Sequence, residues 1–355
     1  MAIVCGQIEQ FIGTREMSIM DAMEKIDKNA KGLLFIIDPK GILEGCISDG
    51  DIRRWIIRTG QLKGKVNDAM NCSPKWIYET QEHMGIDMMK KYQIDVIPIL
   101  DIDKRIIAIL TDDDNELPLR NHDELKDIPV FVMAGGKGTR LYPYTKILPK
   151  PLVPIGEMPI IERIMEYFSA QGMSRFFVSV NYKKEILKAY LNELSQYNIS
   201  YVEEDRPLGT AGSIKLAEYE MPDVFYVTNC DIIVKADYSK MLEYHNQNGN
   251  DMTIIASLKN TTLPYGVLHT KEEGIITSLE EKPRQNYLVN TGMYILNREC
   301  LDFIPDGAFY HMTDLANELL KQKKKVGAFP VSENSFFDMG EFSELQRMET
   351  WLGIK

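Results

Sequence analysis

The residues best suited to chemistry lie at 133–155, in the string MAGGKGTRLYPYTKILPKPLVPI. Gly135, Gly136 and Gly138 leave backbone N–H groups uncovered by side chains, and such a loop can wrap closely around phosphate oxygens. Arg140 and Lys150 add two cations to the same segment, so one strongly anionic ligand would satisfy donors and charges together. A nucleoside triphosphate is the simplest such ligand. The string lacks both the Gly-Lys-Ser/Thr ending of the Walker loop and the last spaced glycine of the dinucleotide fingerprint. For the glycines alone, a tight turn with solvated basic residues is the competing reading. Asp231 ends Thr228-Asn229-Cys230-Asp231, directly after the apolar run 224–227. A carboxylate at the carboxyl end of a central strand, beside a phosphate loop, is placed to hold a metal, although a lone Asp there is commonly a turn former.

Elements must bring these residues together. The apolar run 128–132 has the length and β-branched content of a buried strand, and it ends in the glycines. Beyond it, 160–170 has helical apolar spacing, 175–180 reads as a strand, 184–194 as a helix, 199–202 and 224–227 as strands. This alternation predicts an α/β fold: a doubly wound, mostly parallel sheet with ligands at the strand carboxyl ends. Residues 338–355 read as a terminal helix, and 121–127, NHDELKD, as a polar linker.

Ahead of that linker the chain repeats itself. FIIDPKGILEGCISDGD (35–51) aligns with PILDIDKRIIAILTDDD (98–114), an offset of 63 residues. Each copy predicts a helix (18–28; 84–92), a strand (33–37; 96–100), a polar turn, a second strand (42–47; 106–110) and a Ser/Thr-x-x-Asp step. Such a unit exposes one apolar sheet face and should pack against its copy.

With 355 residues the chain suffices for two domains. A net charge of −11 argues against nonspecific nucleic-acid or membrane-surface binding, both of which need a basic face. No apolar run approaches the ~18 residues of a membrane span, and MAIVCGQIEQ lacks the layout of a signal peptide, so a cytoplasmic protein is expected. Five scattered cysteines without metal spacing read as reduced, mostly buried thiols.

Taken whole, GGxGTRLxPxT followed by PKPLxPI resembles the signature of the sugar-1-phosphate nucleotidyltransferases, also called nucleotide-sugar pyrophosphorylases, with every element present. The resemblance implies a Rossmann-like catalytic domain over 128–355. In it Ala134, Gly135, Gly136, Gly138 and Thr139 bind the nucleotide, Arg140 holds the departing pyrophosphate and Lys150 the α-phosphate. Leu208-Gly209-Thr210-Ala211-Gly212 resembles the family's nucleobase loop, where small residues let the base approach the backbone. Glu204 stands where members that read thymine or uracil often carry Gln and where Glu is common in guanylyl members. Guanine offers N1–H and an exocyclic amine, which an acceptor-only carboxylate matches; a solvated strand-end charge is the bland alternative. Asp231, with Asp338 in Phe336-Phe337-Asp338-Met339-Gly340, is implied to hold Mg2+. Gly266 in Tyr265-Gly266-Val267, Glu281 and Lys282 in Glu280-Glu281-Lys282-Pro283, and Asn290-Thr291 resemble the elements that bind the sugar and its phosphate. An isolated Glu-Lys pair is otherwise usually a surface ion pair.

Residues 1–120 look like a tandem pair of CBS domains, a regulatory and dimerising module that binds nucleotides between its copies. The resemblance implies a regulatory adenine or guanine nucleotide at Ser48 with Asp51 and Thr111 with Asp114, and a homo-oligomer formed through this module. Asp in this context also makes a good helix N-terminal residue. Asp112 and Asp113 would repel a polyphosphate, favouring a monophosphate or nucleoside. A CBS pair ahead of such a transferase resembles glucosamine-1-phosphate guanylyltransferases of bacterial legionaminic-acid pathways, with mannose 1-phosphate the next candidate sugar. The implied reaction joins GTP and a hexose 1-phosphate into an NDP-sugar and pyrophosphate. A dTTP- or UTP-dependent enzyme and a catalytically silent nucleotide sensor are the alternatives.

Overall fold

Val130, Phe131, Val132 and Met133 are all buried and form strand β1 (Val130–Met133). Side chains of this kind suit a strand covered on both faces. β2 (Arg175–Val180) runs parallel on one side of β1, with β3 (Asn198–Glu203) parallel beyond it, and β4 (Val224–Asn229) runs parallel on the other side. β5 (Met252–Thr262), β6 (Arg284–Asn297) and β7 (Val326–Val331) complete a seven-stranded sheet in the order β3-β2-β1-β4-β6-β5-β7, with β6 antiparallel to β4. The computed structural model describes residues 2–4, 8–29, 31–92, 94–111 and 122–340; the helix expected over 338–355 falls almost wholly outside them.

Helices cover both faces. α1 (Ile160–Ala170) buries Ile160, Ile164 and Phe168 along one stripe, as a 3.6-residue period requires. The Phe168 ring meets Phe176 of β2, Tyr226 of β4 and Tyr238 of α4 (Tyr238–Gln247) at centroid distances of 6.5, 6.0 and 4.8 Å. α2 (Lys184–Leu191) follows β2. On the opposite face Phe131, Phe177, Phe225 and Val227 pack with Ile214 of α3 (Gly209–Lys215) and Leu315 and Leu319 of α5 (Met312–Lys321). Because the chain moves outward from β1 through β2 and β3 and then returns to β4, the strand order reverses between β1 and β4. Their carboxyl ends adjoin, with Met133 the Cα partner of Asn229. Ligands of open α/β sheets bind at such a switch point.

By packing, the chain forms two units: Met1–Leu117 with Leu258–Leu288 and Pro330–Asn334, and Pro118–Ser257 with Val289–Phe329 and Ser335–Lys355. The chain therefore crosses between the units at 117–118 and again around 258–288 and 330–334. Leu258, 3% exposed, lies in one apolar core with Ile19, Ile26 and Trp55. Arg53 Nε donates to the Pro330 carbonyl at 2.8 Å, and Arg284 Nη1 lies 3.1 Å from Glu24 Oε1.

In the first unit the repeat appears as expected. The first copy holds strands Ile12–Gly13, Leu33–Ile37 and Leu43–Ser48 and helices Ile19–Asn29 and Asp49–Thr59. The second holds Ile77–Tyr78, helix Gly85–Tyr92, Val96–Leu100 and Ile106–Thr111. Phe35 and Cys46 of one copy share a buried cluster with Val96 and Ile109 of the other, so the two apolar faces meet.

Candidate active site

The glycine loop leaves β1 at the switch point. Ala134, buried, donates its N–H to Ser179 Oγ of β2 at 3.1 Å, which fixes the start of the loop. Gly138 is left-handed, with φ +63°, and a Cβ there would stand 2.7 Å from Lys150 Cβ. Glycine is required on both grounds. At Gly136 an added Cβ would meet nothing within 4 Å, so the backbone here is open to a ligand. Thr139 and Arg140 begin a one-turn helix, Thr139–Leu141, and Thr145 Oγ1 donates to the Gly138 carbonyl at 2.9 Å.

Two chain segments more than 100 residues apart then close the site. Ile232 is the Cα partner of Asp338 in a short antiparallel ladder, and the Met339 N–H donates to the Asp231 carbonyl at 2.8 Å. Lys150 Nζ donates to Asp231 Oδ2. Burial opposes the charge on Lys150, but the adjoining Asp231 carboxylate outweighs it and holds the ammonium above its ordinary pKa. Asp338 Oδ1 accepts from the Gly340 N–H at 2.7 Å, and the Arg140 guanidinium lies against the same turn, with Nη1 3.3 Å from where a Gly340 Cβ would stand. Arg140, Lys150, Asp231 and Asp338 are thus gathered at the mouth of the glycine loop.

Among the described residues no group of three or more His, Cys, Asp or Glu gathers as a metal cage. Mg2+ does not need one: it is usually held by one or two carboxylates, with phosphate oxygens and water completing the shell. The pair Asp231 and Asp338 fits that donor set.

Glu204, 6% exposed, accepts from the Leu208 N–H at 3.0 Å, bonds the Ser179 hydroxyl, and has Oε1 2.5 Å from where a Gly135 Cβ would stand. It is therefore no solvated strand-end charge. It ties the glycine loop to the 208–212 loop, and burial raises its pKa against the two hydrogen bonds. Asn181 joins this network by donating to the Glu204 carbonyl at 2.7 Å. Ser179 and Asn181 were missed from sequence; polar residues ending a parallel strand are the signal that could have found them.

The small residues of the 208–212 loop have an internal reason. Cβ atoms at Gly209 and Gly212 would stand 2.6 Å from the carbonyls of Tyr310 and Ala308 respectively. Thr210 Oγ1 accepts from the Met312 N–H at 2.9 Å, at the start of α5. Thr291 is buried with its hydroxyl donating to the Ile255 carbonyl at 2.7 Å, and Asn290 accepts from Gly292 N–H and donates to the Tyr294 hydroxyl, both at 2.9 Å. Gly266, Glu281 and Lys282 belong to the first unit, where a Gly266 Cβ would stand 3.0 Å from Glu281 Oε2 and Lys282 is left-handed with φ +48°.

In the repeat, Ser48 and Asp51 satisfy each other. Ser48 Oγ donates to Asp51 Oδ2 at 2.6 Å, the two form a capping box on helix Asp49–Thr59, and Arg54 holds Asp51 Oδ1 at 2.5 Å. These bonds match the helix-start reading of the step. Thr111 is buried at the end of its strand, and Asp114, with Asp112 and Asp113, lies outside the described residues.

A family model for nucleotidyl transferases matches residues 130–352, and one for the CBS domain matches 14–58. The mannose-1-phosphate guanyltransferase of Yarrowia lipolytica is 36% identical over 183 residues, 49% of this chain and 50% of that protein. Its counterpart in Saccharomyces cerevisiae is 33% identical over 225 residues, 59% and 61% of the two. The chain thus spans about half to three fifths of the length of these curated relatives. Among solved structures, HddC from Yersinia pseudotuberculosis complexed with GMP-PN aligns with a TM-score of 0.51 at 27% identity, covering 64% of this chain and 100% of that one. Since the first match takes in most of the sheet and the whole crevice at its switch point, the chain belongs to the nucleotidyl transferase family and carries a CBS domain on its N-terminal side.

Proposed function

We propose that the chain transfers a nucleotidyl group from a nucleoside triphosphate, GTP by preference, to a hexose 1-phosphate, releasing pyrophosphate and a nucleoside-diphosphate sugar. The observation that carries this is the meeting of Lys150, from the signature segment, with Asp231 and the Asp338 turn at the switch point. A sugar-phosphate oxygen attacks the α-phosphorus in line, the new P–O bond forms as the bond to the β-phosphate breaks, and both electrons leave with pyrophosphate. Phosphate is already a competent nucleophile, so positioning and charge neutralisation suffice. Arg140 takes the pyrophosphate, Lys150 the α-phosphate and Lys282 the incoming phosphate. Asp231 and Asp338 would hold Mg2+, which supplies neutralisation of the charge gathered there.

Guanine preference is supported by the guanyltransferase relatives and by a carboxylate at 204, and those relatives also move mannose 1-phosphate up beside glucosamine 1-phosphate as acceptor. Supply of a surface-glycan or legionaminic-acid-type pathway is the setting this reading favours. Pyrophosphate release with four triphosphates against both sugar phosphates is the test. Turnover only with dTTP or UTP would defeat the guanine reading and keep the reaction; no turnover with any pair would defeat the reaction itself.

For the CBS region we propose a regulatory nucleotide and self-association. Calorimetry of the full chain with AMP, ATP and GTP, and sedimentation, test these; absence of heat beyond that of the catalytic site would leave a capping role for Ser48 and Asp51.

A further inference from the structure

The segment between Arg140 and Lys150 alternates buried side chains, Leu141 and Thr145, with exposed ones. Tyr142, Tyr144 and Ile147 are exposed, Ile147 at 76%, and only one-turn helices such as Tyr144–Lys146 order the backbone. A tether comes from outside. Lys183, in the turn after β2, extends its ammonium to the end of that helical turn and donates to the carbonyls of Lys146 at 2.5 Å, Ile147 at 2.8 Å and Thr145 at 3.4 Å. A cation at the carbonyl end of a turn is favoured twice, by the dipole and by three acceptors.

Two further features tie this contact to the ligand loop. Lys183 holds a left-handed backbone, φ +53° and ψ +37°, which is strained for a non-glycine residue and persists where surroundings demand it. Thr145, whose carbonyl Lys183 reaches, is fully buried and its hydroxyl donates to the Gly138 carbonyl at 2.9 Å. A chain of hydrogen bonds thus runs from the end of β2 through Lys183 and Thr145 to the glycine loop. Among the described residues Lys183 makes no ion pair with a carboxylate.

We propose that Lys183 is a positioning residue for the triphosphate: it fixes the 144–147 carbonyls, and with them the spacing of Arg140, Gly138 and Lys150. This rests on the triphosphate being the ligand of that segment.

The test uses the full chain with Lys183→Met, which keeps the length and removes the donors, and Lys183→Arg, which keeps several donors. Exchange of the amides of Lys146, Ile147 and Leu148, which donate to carbonyls within the segment, should quicken about tenfold in Lys183→Met without any ligand. GTP binding by calorimetry with Mg2+, and KM for GTP, should weaken by about tenfold, with KM for the sugar phosphate within about twofold and Lys183→Arg near wild type. Unchanged exchange, unchanged KM for GTP, or equal losses for both substrates with a lowered Tm in both variants would each overturn the role. A wild-type chain that binds no triphosphate would instead overturn the function proposed above, and this role with it.

Discussion

Ile232 and Asp338 face each other across an antiparallel ladder, and this pairing sets Asp231, the residue before Ile232, beside the Asp338 turn. Asp231 also accepts from Lys150, and both side chains are largely withdrawn from water, at 9% and 14% exposure. Lys150→Ala and Asp231→Asn should each lower turnover by a factor on the order of 100. Lys150→Ala should also cost about 2 kcal/mol of stability, because it leaves a buried carboxylate without its charged donor. The double variant should recover much of that stability and none of the activity. Steady-state kinetics beside urea unfolding separates the two losses; near-normal turnover in both single variants would remove the assignment.

Gly136 and Gly138 make a matched pair. At Gly138 alanine must adopt φ +63° and meet Lys150 Cβ at 2.7 Å, so Gly138→Ala should lose about 1–2 kcal/mol and displace Lys150. Gly136→Ala enters open space and should leave stability within about 0.5 kcal/mol while raising KM for the triphosphate. Equal thermal shifts in the two variants would contradict this division.

Glu204 gives a signed pH dependence. Burial raises its folded pKa above the ordinary value, so the native state binds the proton more tightly than the unfolded chain. The group contributes no penalty below the ordinary carboxylate pKa and a growing one as pH rises through the raised value. Glu204→Gln removes that penalty. Relative to wild type, the variant should therefore gain unfolding free energy as pH rises above the ordinary carboxylate range. A relative gain by wild type as pH rises would reverse the sign.

The thiols divide by burial. Cys46, Cys230 and Cys300 are pushed up to about 12 by burial, whereas Cys72 is exposed. In a Cys5→Ser background, Ellman's reagent at about pH 8 should label Cys72 quickly and the other three only on unfolding. Rapid labelling that persists in Cys72→Ser would show one of the buried thiols to be accessible.

Local order was legible in the sequence where one period dominates: Ile160–Ala170 and Arg175–Val180 match the expected bounds. The glycine loop was legible as a loop because the apolar run before it ends in glycines, one of them left-handed. The meeting of Asp231 with Asp338 came only from the family resemblance, since nothing in the residues near Asp231 announces a strand partner at Asp338. Nor was the reason for the glycines at 209 and 212 legible: it lies in the backbone at 308–310. Lys183 and Glu204 show the same limit: their significance comes from the segments they join, 145–147 in one case and 134–135 with 208 in the other. In the repeat, Ser48 and Asp51 carried two meanings from the start, and the bonds they make with each other belong to the local one.

Leu258 lies in the core formed by Ile19, Ile26 and Trp55, and Arg284 sits beside Glu24. The N-terminal region is therefore not an appendage that can be trimmed to isolate an enzyme. A chain beginning at residue 118 would leave the 258–288 excursion, Lys282 included, without the core it packs against.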